Sequence, residues 1–282
     1  MNFEYLFASD DFSYANPEDR LIKKIIIRSI ERISGQPHLK RMYEDFRHEP
    51  SNESFWDAAI AKLEITLKGY GLPLEAVPAE GPIVFIANHP YGILDGMALC
   101  WLAQKTRPDF KILINSALCR VPELADYVLP VDFSPTTQAL ETNLASRQAA
   151  RKHLEAGKAL LVFPSGAIAN TPVIWKRKAA EWVWQPLAAK LIRQTHAKVL
   201  PIHFFGQNSW KFQMASHIHP NLRLALVFNE VYRRRKSDIS YFISDVLSAE
   251  EYAQFSDARQ LIKFLQAHND EIARRAMDFG IR

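Results

Sequence analysis

Four short apolar runs, set apart by segments of helical periodicity, constrain this chain more than any other feature of its sequence. They are Ile83–Ala87, Lys111–Ile114, Ala159–Phe163 and Lys198–Phe205. Each reads as a buried strand. Between them the spacing of apolar residues predicts helices at about 95–105, 136–156 and 179–196. Strands alternating with helices imply an α/β fold: a mixed, mostly parallel central sheet flanked by helices. Two late strands, Leu222–Phe228 and Ile239–Ile243, are expected as an antiparallel pair around the basic turn Arg233–Lys236.

The texture upstream is helical. Leu21, Ile22, Ile25, Ile26, Ile30 and Ile33 recur at helical spacing, entered by Asn16-Pro17-Glu18-Asp19 and stopped by Ser34-Gly35-Gln36-Pro37. A second helix is predicted from Asn52 to Tyr70, with Phe55, Trp56, Ala59, Ile60, Leu63 and Leu67 on one face. Gly71-Leu72-Pro73 ends it. A boundary near residue 75 therefore separates an N-terminal helical unit, 1–75, from an α/β domain, 76–282.

Composition matters here chiefly for what it excludes. Hydrophobic residues at 48% and charged residues at 23% rule out a disordered or fibrous chain. No apolar run approaches the ~18 residues that span a bilayer; the richest, Pro82–Ala103, is broken by His89 and Asp95. The first twenty residues lack the apolar core of a signal peptide. Cys100 and Cys119 sit among apolar neighbours, as reduced thiols in a cytoplasmic protein do. A net charge of +4 is too balanced for nucleic acid, but it is unevenly placed: residues 20–48 hold eight Lys/Arg against three acids. An isoleucine face edged by basic side chains (Ile22, Lys23, Lys24, Ile26, Arg28) is what a helix lying on an anionic membrane presents. A surface helix packed on a core presents the same pattern. No glycine-rich nucleotide loop is present, so no nucleotide cofactor is expected. His217-Ile218-His219 lacks a third ligand at a telling spacing, so no metal is expected.

The strongest chemical signal is Ala87-Asn88-His89-Pro90-Tyr91-Gly92-Ile93-Leu94-Asp95-Gly96. It follows a buried strand and opens a helix, the place where open α/β sheets carry their chemistry. A histidine whose ring N–H is held by a carboxylate is a ready general base; a tight turn with a helix-capping histidine is the plainer reading. Two further blocks follow strands: Phe163-Pro164-Ser165-Gly166 and Leu200-Pro201-Ile202-His203-Phe204-Phe205-Gly206-Gln207-Asn208-Ser209.

In order and spacing these blocks resemble the lysophospholipid acyltransferase family, over about residues 76–246. The run Arg20–Tyr43 also looks like that family's bacterial branch, often labelled hemolysin-like. The resemblance implies transfer of a fatty-acyl group from acyl-CoA or acyl carrier protein, as co-substrate and without a bound cofactor, to a lysolipid hydroxyl. His89 would be the general base and Asp95 its orienting carboxylate. Backbone N–H groups near Gly92 or Gly166 would serve the oxyanion. Asn88, Gly92, Phe163, Pro164, Ser165 and Gly166 would contact substrate, with Arg120 at the family's basic acceptor block and Lys176 and Arg177 as further cations. The protein would act peripherally on the cytoplasmic face of the inner membrane.

The sequence departs from the family pattern twice. Five residues separate His89 from Asp95 where the family has four. Ser165 and Ile168 stand where the family's Phe-Pro-Glu-Gly-Thr-Arg block has Glu and Arg, residues that help hold a phosphate-bearing acceptor. An amino-acid-containing lysolipid, such as a lyso-ornithine or lyso-glycine lipid, is therefore an alternative acceptor. A silent membrane-binding protein of this fold and a serine hydrolase using Ser165 are the remaining alternatives.

Overall fold

The computed structural model describes residues 36–48, 54–116, 122–218 and 220–278. The basic helix expected around Ile22, Lys23, Lys24, Ile26 and Arg28 lies outside the described residues, as do Arg120 and Cys119. Two helices, α1 (Gln36–His48) and α2 (Phe55–Lys62), precede strand β1 (Thr66–Gly71). Then come β2 (Ile83–Ala87), α3 (Ile93–Thr106), β3 (Lys111–Asn115), β4 (Val128–Val131), α4 (Thr137–Glu155) and β5 (Ala159–Val162). The chain continues through α5 (Leu187–Thr195), β6 (Lys198–Phe204), α6 (Trp210–Ile218), α7 (Pro220–Arg233), β7 (Asp238–Ile243), α8 (Ala249–Tyr252) and α9 (Ala258–Asp278).

The strands form one seven-stranded sheet in the order β1-β7-β6-β2-β5-β3-β4. The five from β6 to β4 run parallel, while β7 pairs antiparallel with β6 and parallel with β1. The expected mixed, mostly parallel sheet is thus present. At its centre every residue of β2 is buried. Ile83, Phe85 and Ala87 pack on one face against Leu94, Leu99 and Leu102 of α3. Val84 and Ile86 pack on the other against Leu154 of α4, Ile192 of α5 and Leu265 of α9. Covered on both faces, such a strand shows no alternation of polarity in its sequence.

Three elements differ from the sequence reading, each for a tertiary reason. The helix expected over Asn52–Tyr70 stops at Lys62, because Glu64 adopts a left-handed conformation (φ 52°) that turns the chain. Thr66–Gly71 then pairs with β7 along its whole length, so the sheet reaches back past the expected boundary at residue 75. Leu222–Phe228, expected as a strand, lies inside α7. Its local apolar alternation coexists with a longer helical stripe in which Val227 and Val231 are buried one turn apart. The third helix begins at Leu187 rather than at 179, and the residues before it form a loop tied back by the Asn170–Ala180 bridge. Strand β4 was hidden in the sequence by Pro130; at the sheet's edge a proline is tolerated because no outer neighbour needs its N–H.

The end of the sheet from which β2 emerges is pinned by one buried guanidinium. Arg107, 1% exposed, donates to both carboxylate oxygens of Asp109 (3.0 Å each) and to the carbonyls of Gly81 and Gly157 (2.8 Å each). It thereby ties together the loops that lead into β2, β3 and β5. Removing one partner of a buried ion pair typically costs about 3–5 kcal/mol. Arg107→Ala is therefore expected to lower unfolding free energy toward that range in denaturant titrations, with Arg107→Lys intermediate. His203 of β6 is held neutral: burial pulls its pKa down to about 4, against the opposing hydrogen bond to Asn269 Oδ1 at 2.7 Å. The unfolded chain protonates this histidine near pH ~6.5, so its contribution to stability is complete above that pH. It is lost as pH falls from ~6.5 toward 4. His203→Gln should flatten that part of the wild-type curve of unfolding midpoint against pH.

Candidate functional site

The site is assembled where β2 ends. Asn88 accepts from the Phe204 N–H (2.7 Å) and donates to the Phe204 carbonyl (2.9 Å), fastening the exit of β2 to the end of β6. Its amide is therefore engaged with backbone, and Asn88 positions the turn. Tyr91 extends the same fastening: its hydroxyl donates to the Phe205 carbonyl (2.6 Å), and its own carbonyl accepts from Asn208 (3.1 Å). Arg234 lies over the Tyr91 ring at 4.3 Å. Gly206 is required beside it, since a Cβ there would fall 1.9 Å from the Tyr91 hydroxyl, at a φ of +107°. The Leu200–Ser209 block is thus the frame on which the His89 turn is built.

Gly92 answers the question raised by the five-residue gap. With φ 91° and ψ −100° it turns the chain sharply into α3, and a Cβ there would lie 2.5 Å from the Ile168 side chain. Asp95 thereby falls in the first turn of α3 and points back under the turn. Its carboxylate is fully buried and accepts from the N–H of Tyr91 (2.8 Å) and of Gly96 (2.9 Å). A carboxylate at this position is favoured by the helix N-terminus. His89 Nδ1 lies 3.1 Å from Asp95 Oδ1, with the ring N–H turned off the line to that oxygen.

The imidazole is stacked on Phe163 (centroids 4.2 Å apart, planes at 28°). Ala169 N–H donates to the His89 carbonyl at 2.8 Å, joining the loop after β5 to the turn after β2. Burial works against a charged ring here, but the Asp95 carboxylate, with Glu181 behind it, outweighs that effect and raises the His89 pKa. The side chain still keeps 18% of its surface accessible, so a substrate can reach it. An imidazole so held can take a proton from a hydroxyl brought to its free nitrogen.

Two charged groups at the site carry no motif in the sequence. Glu181, from the loop between β5 and α5, accepts from the His89 N–H at 3.1 Å and lies beside Ser165. Burial raises its pKa. It brings a carboxylate next to Ser165 from 16 residues further along the chain. Arg223 of α7 lines the cavity described next and weakens protonation of His89 through its charge. Neither was legible beforehand, because both reach the site by tertiary folding alone.

A cavity of about 460 Å³ opens on the His89 ring, a volume in the ordinary range of small-molecule sites. Its walls are mainly apolar and run from Leu39 of α1 and Phe55 of α2, past Met97 of α3 and Ile114 of β3, to Val227 of α7. Gly92, Phe163, Pro164 and Gly166 line it. Ser165 is buried beneath, its hydroxyl donating to the Ala167 carbonyl at 3.0 Å. Near Gly166, one of the two places expected to supply oxyanion donors, the Gly166 N–H itself donates to the Phe163 carbonyl at 3.0 Å. Lys176 and Arg177 lie on an exposed excursion after β5 and are not among the cavity's lining residues. His217 hydrogen-bonds Thr171 at 2.9 Å.

Residues 73–204, from the approach to β2 through the end of β6, match the family model described as Acyltransferase. A lyso-glycine lipid O-acyltransferase of Phocaeicola vulgatus is 24% identical over 263 residues, covering 89% of each chain. One of the same name from Bacteroides thetaiotaomicron is 24% identical over 233 residues, covering 77% of this chain and 78% of that protein. In fold, the 1-acyl-sn-glycerophosphate acyltransferase PlsC of Thermotoga maritima superposes with a TM-score of 0.51 at 16% identity, over 94% of this chain and 84% of that one. Residues 73–204 thus carry an acyltransferase domain, the chain is similar over most of its length to lysolipid acyltransferases, and it is an enzyme of the acyltransferase type.

Proposed function

We propose that this enzyme moves a fatty-acyl group from a thioester, acyl-CoA or acyl carrier protein, to the hydroxyl of a lysolipid. The observation that carries the reading is the His89–Asp95 pair, 3.1 Å apart at the wall of an apolar cavity despite the longer gap between them. With Nδ1 toward Asp95, His89 Nε2 takes the hydroxyl proton as the oxygen attacks the thioester carbonyl. The C–S bond then breaks, and the thiolate leaves with the proton that His89 took. Asp95 steadies the imidazolium. A silent protein of this fold would need the pair too far apart to interact, and its separation favours the active reading.

Within the class we favour a glycine-headed lysolipid as acceptor. The relatives named for that reaction align over most of the chain, and Ser165 and Ile168 stand where phosphate-holding residues would be. The enzyme would dock peripherally on the cytoplasmic face of the membrane. No helix among the described residues is long and apolar enough to cross one. Exposed Phe133, Trp175 and Trp210 follow the ends of β4, β5 and β6, the same edge of the parallel strands that carries His89. Lys176 and Arg177 adjoin Trp175, which is 79% exposed. Aromatic rings backed by cations suit an anionic bilayer surface.

Incubating purified protein with a labelled acyl thioester and a panel of lysolipids tests the reading. General-base loss is typically worth ~10²–10⁴ in rate, so His89→Ala should fall by that much; transfer that persists in His89→Ala would defeat the assignment. Because the base must be neutral and its pKa is raised, the acid limb of log kcat/KM against pH should lie above that of an ordinary histidine. Asp95→Asn, which removes the charge opposing burial, should shift the limb to lower pH while reducing the rate. Glu181→Gln should shift it in the same direction with a smaller loss. Ser165→Ala should retain most activity, whereas a serine hydrolase would be silenced.

A further inference from the structure

Two arginines are drawn into this protein's interior, and they differ in what meets them. Arg107 has carboxylate and carbonyl oxygens on every side. Arg223 sits partly buried on α7 at the cavity wall, its Nε buried and without a hydrogen-bond partner among the described residues. No carboxylate pairs with it among the described residues. Drawing a guanidinium out of water without a counter-charge is costly, and burial accordingly lowers its pKa. An arrangement of this kind is completed when an anion enters from outside.

We propose that Arg223 receives the head-group carboxylate of the acceptor lipid while the hydroxyl of the same molecule is presented to His89. The proposal rests on the reading of this site as one that acylates a glycine-headed lysolipid. Its support is in the charge count and the geometry. Among the described residues lining the cavity, the other cation of a lysine or arginine is Lys62 on α2, which already has a partner. One uncommitted guanidinium matches the single negative charge of a carboxylate. A phosphomonoester, at about −1.5 to −2, calls for more than one. The planar fork of arginine also fits the two oxygens of a carboxylate. The apolar walls then take the lipid's chain.

The placement has a chemical consequence. In the free enzyme the Arg223 charge opposes protonation of His89. A carboxylate seated on Arg223 cancels that charge, so the arriving acceptor strengthens the base that will deprotonate it. A hydroxyl compound without the carboxylate would meet a weaker base as well as a poorer site.

Binding, read without turnover, tests this. In a His89→Ala background, calorimetry would measure a short-chain hydroxyacyl-glycine, hydroxydecanoyl-glycine, against its methyl ester and against a lysophosphatidic acid of equal chain length. The acid should bind at least ~10-fold more tightly than the ester, the weight of a hydrogen-bonded charge pair. Adding Arg223→Gln should weaken the acid by ~10- to 100-fold and leave the ester unchanged, which also shows that the variant is folded. Arg223→Lys, keeping the charge without the fork, should recover part of the loss. Equal affinity for acid and ester, equal weakening of both by Arg223→Gln, or a lysophosphatidic acid that binds more tightly than the acid through Arg223 would overturn the proposal. A wild-type enzyme that binds the acid in this way yet transfers no acyl group would overturn the acyl-transfer reading and leave the Arg223 site standing.

Discussion

A carboxylate without water must be satisfied by the protein, and the buried side chain of Asp95 sets that requirement for the whole site. Two backbone N–H groups, from Tyr91 and Gly96, and the His89 ring surround it. For those donors to converge, the chain must turn sharply at Gly92 and enter a helix at once. For the turn to hold, Asn88 and Tyr91 must be fastened to β6 and the segment after it. The close approach of Gly206 to Tyr91 follows from the same fastening. One buried charge thus accounts for a glycine, two paired strand ends and a conformation no other residue type would take without strain.

The sheet serves this arrangement by being secured at both ends. Arg107 gathers the loops where β2, β3 and β5 begin, and the Asn88–Phe204 pair locks β2 to β6 where they end. Between them β2 is packed on both faces by side chains that interiors hold at close-packed density. A shift of this strand would therefore disturb both faces of the core at once. His89 inherits that rigidity, which matters for a group that must hold a hydroxyl within hydrogen-bond reach.

The charges that act on His89 come from three separate stretches of chain. Asp95 and Glu181 favour the protonated imidazole, and Arg223 opposes it. Glu181 lies beside Ser165, so a carboxylate from a different segment stands next to the Phe-Pro-Ser-Gly block. Its acceptor role toward the His89 N–H is directed at the backbone of the turn. The electrostatic surroundings of His89 are a property of the folded assembly rather than of any one motif.

The sequence by itself determined the α/β class, four of the central strands and the identity of the His–Asp turn. Each is encoded locally: continuous apolar runs need cover on both faces, and a strand followed by Asn-His-Pro…Gly and an acid can make only a short turn into a helix. Tertiary structure decided everything that depends on who the neighbour is. Thr66–Gly71 became a strand because β7 was there to pair with it, against a helical periodicity that Leu63 and Leu67 continued. Leu222–Phe228 became a helix because its buried stripe runs on to Val231. Val128–Val131 became a strand only because an edge tolerates Pro130. Whether five residues could bring His89 and Asp95 together was likewise open until Gly92 took a positive φ. Glu181 and Arg223 lie far from the motifs in sequence, and their charges act through space. No spacing rule along the chain could have assigned them to the site.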